Sequence, residues 1–221
     1  MFDSLRADIR AVMNRDPAAR SRLEVVLCYP GVHALAMHRI AHRLWGAGWT
    51  TLARFVSHVS RFLTGIEIHP AARLGRGLFI DHGMGLVIGE TTEVGENVTL
   101  LQGVTLGGTS LKREKRHPTL GDHVVVGTGA AVIGAITIGA GSRIGAGSVV
   151  VRDVPPNSVV VGVPGKVTYR DGQRVTGDID MNQTDLPDPV TKAIEHLIER
   201  IRVLEGEVES LRKSAEADRV R

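Results

Sequence analysis

The chain has 221 residues, with 27 Lys and Arg against 24 Asp and Glu for a net charge of +3. Its basic residues are scattered, without aromatic side chains between them, which excludes a nucleic-acid stripe as the basis of function. The two tightest basic clusters, Lys112 to Arg116 and Asp218 to Arg221, fit a solvated loop and tail. The single cysteine, Cys28, excludes an internal disulfide and fits a reducing compartment. Its neighbours Val25, Val26 and Leu27 suggest a small buried hydrophobe. The first residues alternate charge with apolar side chains, unlike a signal peptide. No run approaches the roughly 18 apolar residues needed to cross a bilayer, so a cytoplasmic protein without membrane contact is expected.

Residues 1–64 carry apolar side chains at spacings of three and four, as in Leu23, Val26 and Leu27, then Leu35, Ile40 and Leu44, then Leu52, Phe55, Val56, Val59 and Leu63. This predicts a helical N-terminal domain in which each helix has one apolar stripe. Pro17 and Tyr29-Pro30-Gly31 divide it. His38 and His42 lie four apart, but no glutamate follows the first histidine, so packing explains them better than a metal pair.

From 65 to 168 the pattern changes to a beat of six. Branched apolar residues fall at Ile68, Leu74 and Ile80, then at Ile88, Val94, Leu100 and Leu106, and again at Leu120, Val126, Val132, Ile138, Ile144 and Val150. Period six is neither helix nor ordinary strand. It predicts a parallel β-helix of the hexapeptide, left-handed class, in which three short strands make a triangular coil and the branched residues stack inside. The expected fold class is therefore α+β, with about five coils stacked about 4.8 Å apart.

Two faults break the beat. The interval from Ile80 to Ile88 is eight residues, and Asp81 and His82 occupy it. The polar, basic segment Gly107 to Thr119 must leave the coil as a loop, and long loops in compact domains are usually functional or disordered.

Residues 169–189 are polar and turn-rich, as in a linker. Val190, Ile194, Leu197, Ile201, Leu204, Val208 and Leu211 then form a heptad seam, which predicts a coiled-coil-like amphipathic helix over 190–221. Helix association follows from it.

Ile68-His-Pro-Ala71, Asp81-His82, Gly89-Glu-Thr91, Gly103 to Thr109, Arg116-His-Pro118, Ile144 to Val149 and Gly162-Val-Pro164 together resemble serine O-acetyltransferase, the first enzyme of cysteine synthesis. The likeness runs from Arg15 to Lys166. It implies transfer of the acetyl group of acetyl-CoA to the hydroxyl of L-serine, with acetyl-CoA as co-substrate and no metal. It also implies His82 as general base, a task suited to imidazole, and Glu67 as its carboxylate partner, where the family has aspartate. Arg116 would pair with the substrate carboxylate, His117 would orient the substrate, and Asp16 and Asp81 would take its ammonium. Gly108, Thr128 and Ala146 would let the pantetheine arm approach, and Lys166 would meet a CoA phosphate.

The family forms its pocket between subunits, so a homotrimer or a dimer of trimers is expected. Some members dock a C-terminal peptide ending in isoleucine into O-acetylserine sulfhydrylase. This chain ends in Arg221, which departs from that pattern. Two other readings stay open: acetyl transfer to a sugar or xenobiotic hydroxyl, and a zinc hydratase like the γ-class carbonic anhydrases, built on His82, His117 and His123. Neither accounts for the Asp81 and Arg116 charges.

Overall fold

The computed structural model describes residues 2–169, together with Arg200, Ile201 and Leu204, which are helical. Apart from those three and Tyr169, the expected linker and heptad helix lie outside the described residues. Four helices come first: α1 (Phe2–Arg15), α2 (Arg22–Cys28), α3 (Pro30–Gly46) and α4 (Thr50–Thr64). Ser21 caps α2 by accepting from the Glu24 N–H, and Pro30 opens α3 at a position that needs no N–H donor. Gly65, in the left-handed region, ends α4.

The beat of six then becomes a prism. Its first coil is β1 (Glu67–Ile68), β2 (Arg73–Leu74) and β3 (Phe79–Ile80), and the second is β4 (Val87–Ile88), β5 (Glu93–Val94) and β6 (Thr99–Leu100). The third is β7 (Thr105–Gly107), β8 (Thr119–Leu120) and β9 (Val125–Val126), and the fourth β10 (Ala131–Ile133), β11 (Thr137–Ile138) and β12 (Arg143–Ile144). β13 (Val149–Val150), a bridge at Val154 and β14 (Ser158–Val161) complete the fifth. Equivalent strands pair in parallel down three faces, the first face being β1-β4-β7-β10-β13. This is the expected parallel β-helix. Antiparallel β15 (Lys166–Tyr169) covers β14 and so occupies what would otherwise be an open edge.

Every residue of the beat is buried except Leu74, which is partly so and packs on the same core. Stacking equivalent side chains fills a column too narrow for aromatics. The one buried phenylalanine among the described residues, Phe79, belongs instead to a second cluster with Ala11, Val12, Val25 and Val32, where the helices meet the prism. Helices and prism form one compact unit.

Two expectations about the helices are corrected. Cys28 is exposed, because α2 buries Val25 and turns Leu23, Val26 and Leu27 outward. The apolar stripe of α4 also faces out, with Phe55 62% and Leu63 67% exposed. Its buried edge is Ala53, Ser57, Ser60 and Thr64. Small and hydroxylic residues suit that edge because Ser57 Oγ donates to the Ile68 carbonyl at 2.6 Å, which brings the helix close to β1.

Candidate active site

The register slip is a corner with two extra residues, where the chain passes from the third face to the first. Asp81 follows β3 directly, and His82 takes a left-handed backbone conformation, φ 56°. A non-glycine side chain rarely adopts this region, and here it turns the imidazole off the wall. The His82 side chain is 75% exposed and its Nε2 lies 3.9 Å from Asp81 Oδ1.

Helix α3 brings the rest of this half of the site. A Cβ on Gly31 would lie 2.4 Å from the Ile80 carbonyl oxygen, so only glycine lets the start of α3 rest on β3. Tyr29, one residue before the helix, donates its hydroxyl to Asp16 Oδ2 at 2.6 Å. Asp16 Oδ1 accepts the Ala18 N–H at 2.8 Å. Burial, above all, holds the Asp81 carboxyl above its ordinary range; His82 opposes this, and the Asp16 charge adds to it. Two carboxylates near an exposed imidazole make a pocket suited to a cation.

Arg15 secures Asp16 against the prism. Its guanidinium donates to the Gly77 and Val98 carbonyls and to Thr99 Oγ1, each at 3.2 Å, and to Asn97 Oδ1 at 3.2 Å. Burial lowers its pKa to about 10. Asp8, buried and paired with Arg39, accepts the Gly77 N–H at 3.0 Å.

The second half is at the corner between the first and second faces, where the loop from 108 to 118 leaves the coil. Thr91 organises it. Thr91 Oγ1 accepts the Arg116 and His117 backbone N–H groups at 3.0 Å each and lies 3.0 Å from His117 Nδ1, which also accepts the Thr91 N–H at 3.2 Å. With Nδ1 accepting, the His117 proton resides on Nε2. Burial first, then Arg116, lowers the His117 pKa and favours this neutral form.

Arg116 Nη2 donates to Glu90 Oε2 at 2.6 Å, and that bond holds the Glu90 carboxyl below its usual range. A cleft of about 530 Å³ opens beside them, lined by Glu90, Thr91, Arg113 and Arg116 among others. Burial lowers the pKa of His69, edge-on to Trp45, to about 4. A Cβ on Gly89 would lie 2.0 Å from His117 Cδ2, and one on Gly108 3.1 Å from His117 Nε2. Gly108 thus lies against the Arg116-His117 pair.

Of the residues singled out in the sequence, Asp16, Asp81 and His82 come together at one corner, and Arg116, His117 and Gly108 at another. Glu67 starts β1 one coil above His82, but its carboxylate lies 3.1 Å from Arg61 Nη1. Among the described residues no hydrogen bond or ion pair joins Glu67 to His82, or either corner's charged groups to the other's. Thr128 and Ala146 share the His82 corner in successive coils: the Gly147 N–H donates to the Thr128 carbonyl at 2.8 Å, as Gly129 does to Gln102 at 2.9 Å. Gly103, Gly129 and Gly147 form a column of left-handed glycines there, a groove without side chains. Lys166 follows Gly165, whose N–H donates to the Val149 carbonyl at 2.8 Å, and is exposed near the end of that column. Tyr29, Glu90 and Thr91 were assigned no site role in the sequence, although Tyr29 belongs to the Tyr29-Pro30-Gly31 turn and Glu90 and Thr91 to the Gly89-Glu-Thr91 motif.

The site thus combines a β-helix of hexapeptides, an exposed histidine and a smooth glycine groove beside it. Residues 1–37 match the family model described as serine acetyltransferase, N-terminal. Over 97% of the chain and 98% of the relative, it is 53% identical to the serine acetyltransferase of Bacillus pumilus strain SAFR-032. The crystal structure of the Neisseria gonorrhoeae serine acetyltransferase in complex with serine is 47% identical, with a TM-score of 0.74 over 76% of this chain and 69% of that one. The Brucella abortus serine acetyltransferase in complex with coenzyme A is 46% identical, with a TM-score of 0.75 over 77% and 68%. The chain belongs to the serine acetyltransferase family, and the reaction it catalyses is acetyl transfer from acetyl-CoA to serine.

Proposed function

We propose that His82 is the general base of this transfer. One ring nitrogen takes the serine hydroxyl proton as the oxygen attacks the thioester carbonyl. The tetrahedral adduct then collapses to O-acetylserine, and the CoA sulfur leaves and is protonated. The observation that carries this reading is the left-handed His82 backbone, which exposes the imidazole at the corner where two extra residues enter the coil. Glu67, at the same corner one coil above, is the carboxylate that orients the ring and stabilises the imidazolium once it exchanges its pairing with Arg61. Asp16 and Asp81 hold the serine ammonium.

Arg116 and His117 hold the carboxylate end, Arg116 sharing its donors between substrate and Glu90. Since the two halves lie at opposite edges of the first face, one chain does not close the pocket; a neighbouring copy in a homotrimer, or in a dimer of trimers, supplies the other half. The glycine column beside Thr128 and Ala146 admits the pantetheine arm, Gly108 keeps the cleft wall thin, and Lys166 meets a CoA phosphate. The serine and coenzyme A complexes of the relatives support both ligands.

The test is thiol release from acetyl-CoA with L-serine against other hydroxyl acceptors, in the unaltered protein and in His82→Asn. L-serine is expected to be the preferred acceptor, and the variant to keep its fold and assembly while losing at least ~10³-fold in kcat, within the range general-base catalysis supplies together with positioning. Activity retained within tenfold in the variant would overturn the assignment of the base.

A further inference from the structure

We infer that Tyr29 is a positioning residue for serine: its hydroxyl fixes the Asp16 carboxylate in the orientation that receives the substrate ammonium. The inference rests on the reading of Asp16 and Asp81 as the ammonium pocket.

Four observations lead to it. The Tyr29 hydroxyl donates to Asp16 Oδ2 at 2.6 Å, the short length of a charge-assisted bond. The second Asp16 oxygen accepts the Ala18 N–H at 2.8 Å, so the carboxylate is held at both oxygens and its plane is set. The Tyr29 ring is anchored, packed against the cluster of Val12, Val25, Val32 and Phe79. Its backbone is fixed by Pro30 behind it and by Gly31, whose contact with Ile80 places this turn beside Asp81.

Without such a brace, Asp16 would turn away from Asp81. The two carboxylates repel, the Asp16 charge adding to the rise in the Asp81 pKa that burial dominates, and an aspartate after the end of α1 has rotamers that point to solvent. A tyrosine hydroxyl suits the task because it adds no charge to the pocket. Asp16 raises its pKa, with smaller contributions from burial, Glu24 and Asp81, so it stays a donor across the working range. The bond leaves lone pairs on Asp16 for the incoming ammonium. Tyr29 touches no reacting atom.

Tyr29→Phe keeps the ring and its packing and removes only the donor. The expected result is a rise of about tenfold in KM for L-serine, with kcat and KM for acetyl-CoA within twofold of the parent. A merely structural role would instead lower the melting temperature and affect both substrates alike.

Asp16→Asn and the double variant separate this inference from the reading beneath it. If Asp16→Asn leaves KM for serine unchanged, the ammonium pocket is wrong. If Asp16→Asn raises that KM but Tyr29→Phe does not, the pocket stands and the role of Tyr29 falls. If Tyr29→Phe raises it as much in the Asp16→Asn background as alone, Tyr29 does not act through Asp16 and the inference is overturned.

Discussion

Asp81 shows how one side chain can set the pH response of the enzyme. Burial and the neighbouring Asp16 raise its pKa above 3.8, against the opposing pull of His82. On the proposed reading, the serine ammonium binds the ionised Asp81 carboxylate. As pH falls through the raised value, Asp81 takes up a proton and the attraction is lost, so kcat/KM for serine declines by about tenfold per pH unit on this limb. The limb lies above the ordinary aspartate range. Asp16→Asn removes a like charge and is expected to shift it downward, although the variant binds serine more weakly at every pH. Because the carboxylates interact, the measured value belongs to the pair. A pH profile whose acidic limb is the same in both proteins would refute the coupling.

At this scale the sequence exposed charge and missed support. Asp81 and His82 were legible because they interrupt a strict period, and Arg116 and His117 because they follow a loop that the coil cannot contain. Tyr29 was legible only as part of a helix-breaking turn, since its bond to Asp16 depends on a fold-back of 13 residues. The organising role of Thr91, named only within a motif, was hidden for the same reason: its bonds reach 25 and 26 residues along the chain, across the loop.

Among the elements, the short strands were the most predictable, since a stacked column demands one branched residue per unit and tolerates little else. The helices were less so. Spacings of three and four place an apolar stripe on α4 correctly, but they do not say what the stripe faces, and the prism takes the serine edge instead. The same limit applies to corners, where glycine content marks a turn without telling which neighbour requires it. Gly89 is such a case. A Cβ there would lie 2.0 Å from His117 Cδ2 and 2.1 Å from Nε2, so Gly89→Ala must displace the ring and break the Thr91 bonds that fix it. The expected outcome is a loss of about 1–3 kcal/mol in stability, the usual cost of overpacking, with a rise of roughly tenfold in KM for serine, which corresponds to about 1.4 kcal/mol. Thermal unfolding and thiol-release kinetics measure the two effects. A variant with the parent's stability and KM would show that His117 moves aside freely and does not hold substrate.

For the whole molecule, the distribution of apolar surface and the division of the site call for the same remedy. Phe55, Phe62 and Leu63 on α4 are all more than half exposed, Phe62 at 85%, and burying each such side chain stabilises by about 1.5–3 kcal/mol. The two halves of the pocket, meanwhile, sit at separate corners of one chain. A second copy that covers α4 while bringing its Arg116 corner to the first chain's His82 corner resolves both, and a closed ring of copies satisfies every chain equally. Phe62→Glu places a charge in that contact without touching a residue of either half. The variant is expected to sediment as a smaller species than the parent at micromolar concentration, and to lose activity in proportion to the fraction dissociated. Because each chain keeps its own Asp81-His82 and Arg116-His117 groups, activity should return as protein concentration is raised. Full activity in a demonstrably monomeric variant would mean that one chain closes the pocket by itself, and parent-like sedimentation would place the interface on another face.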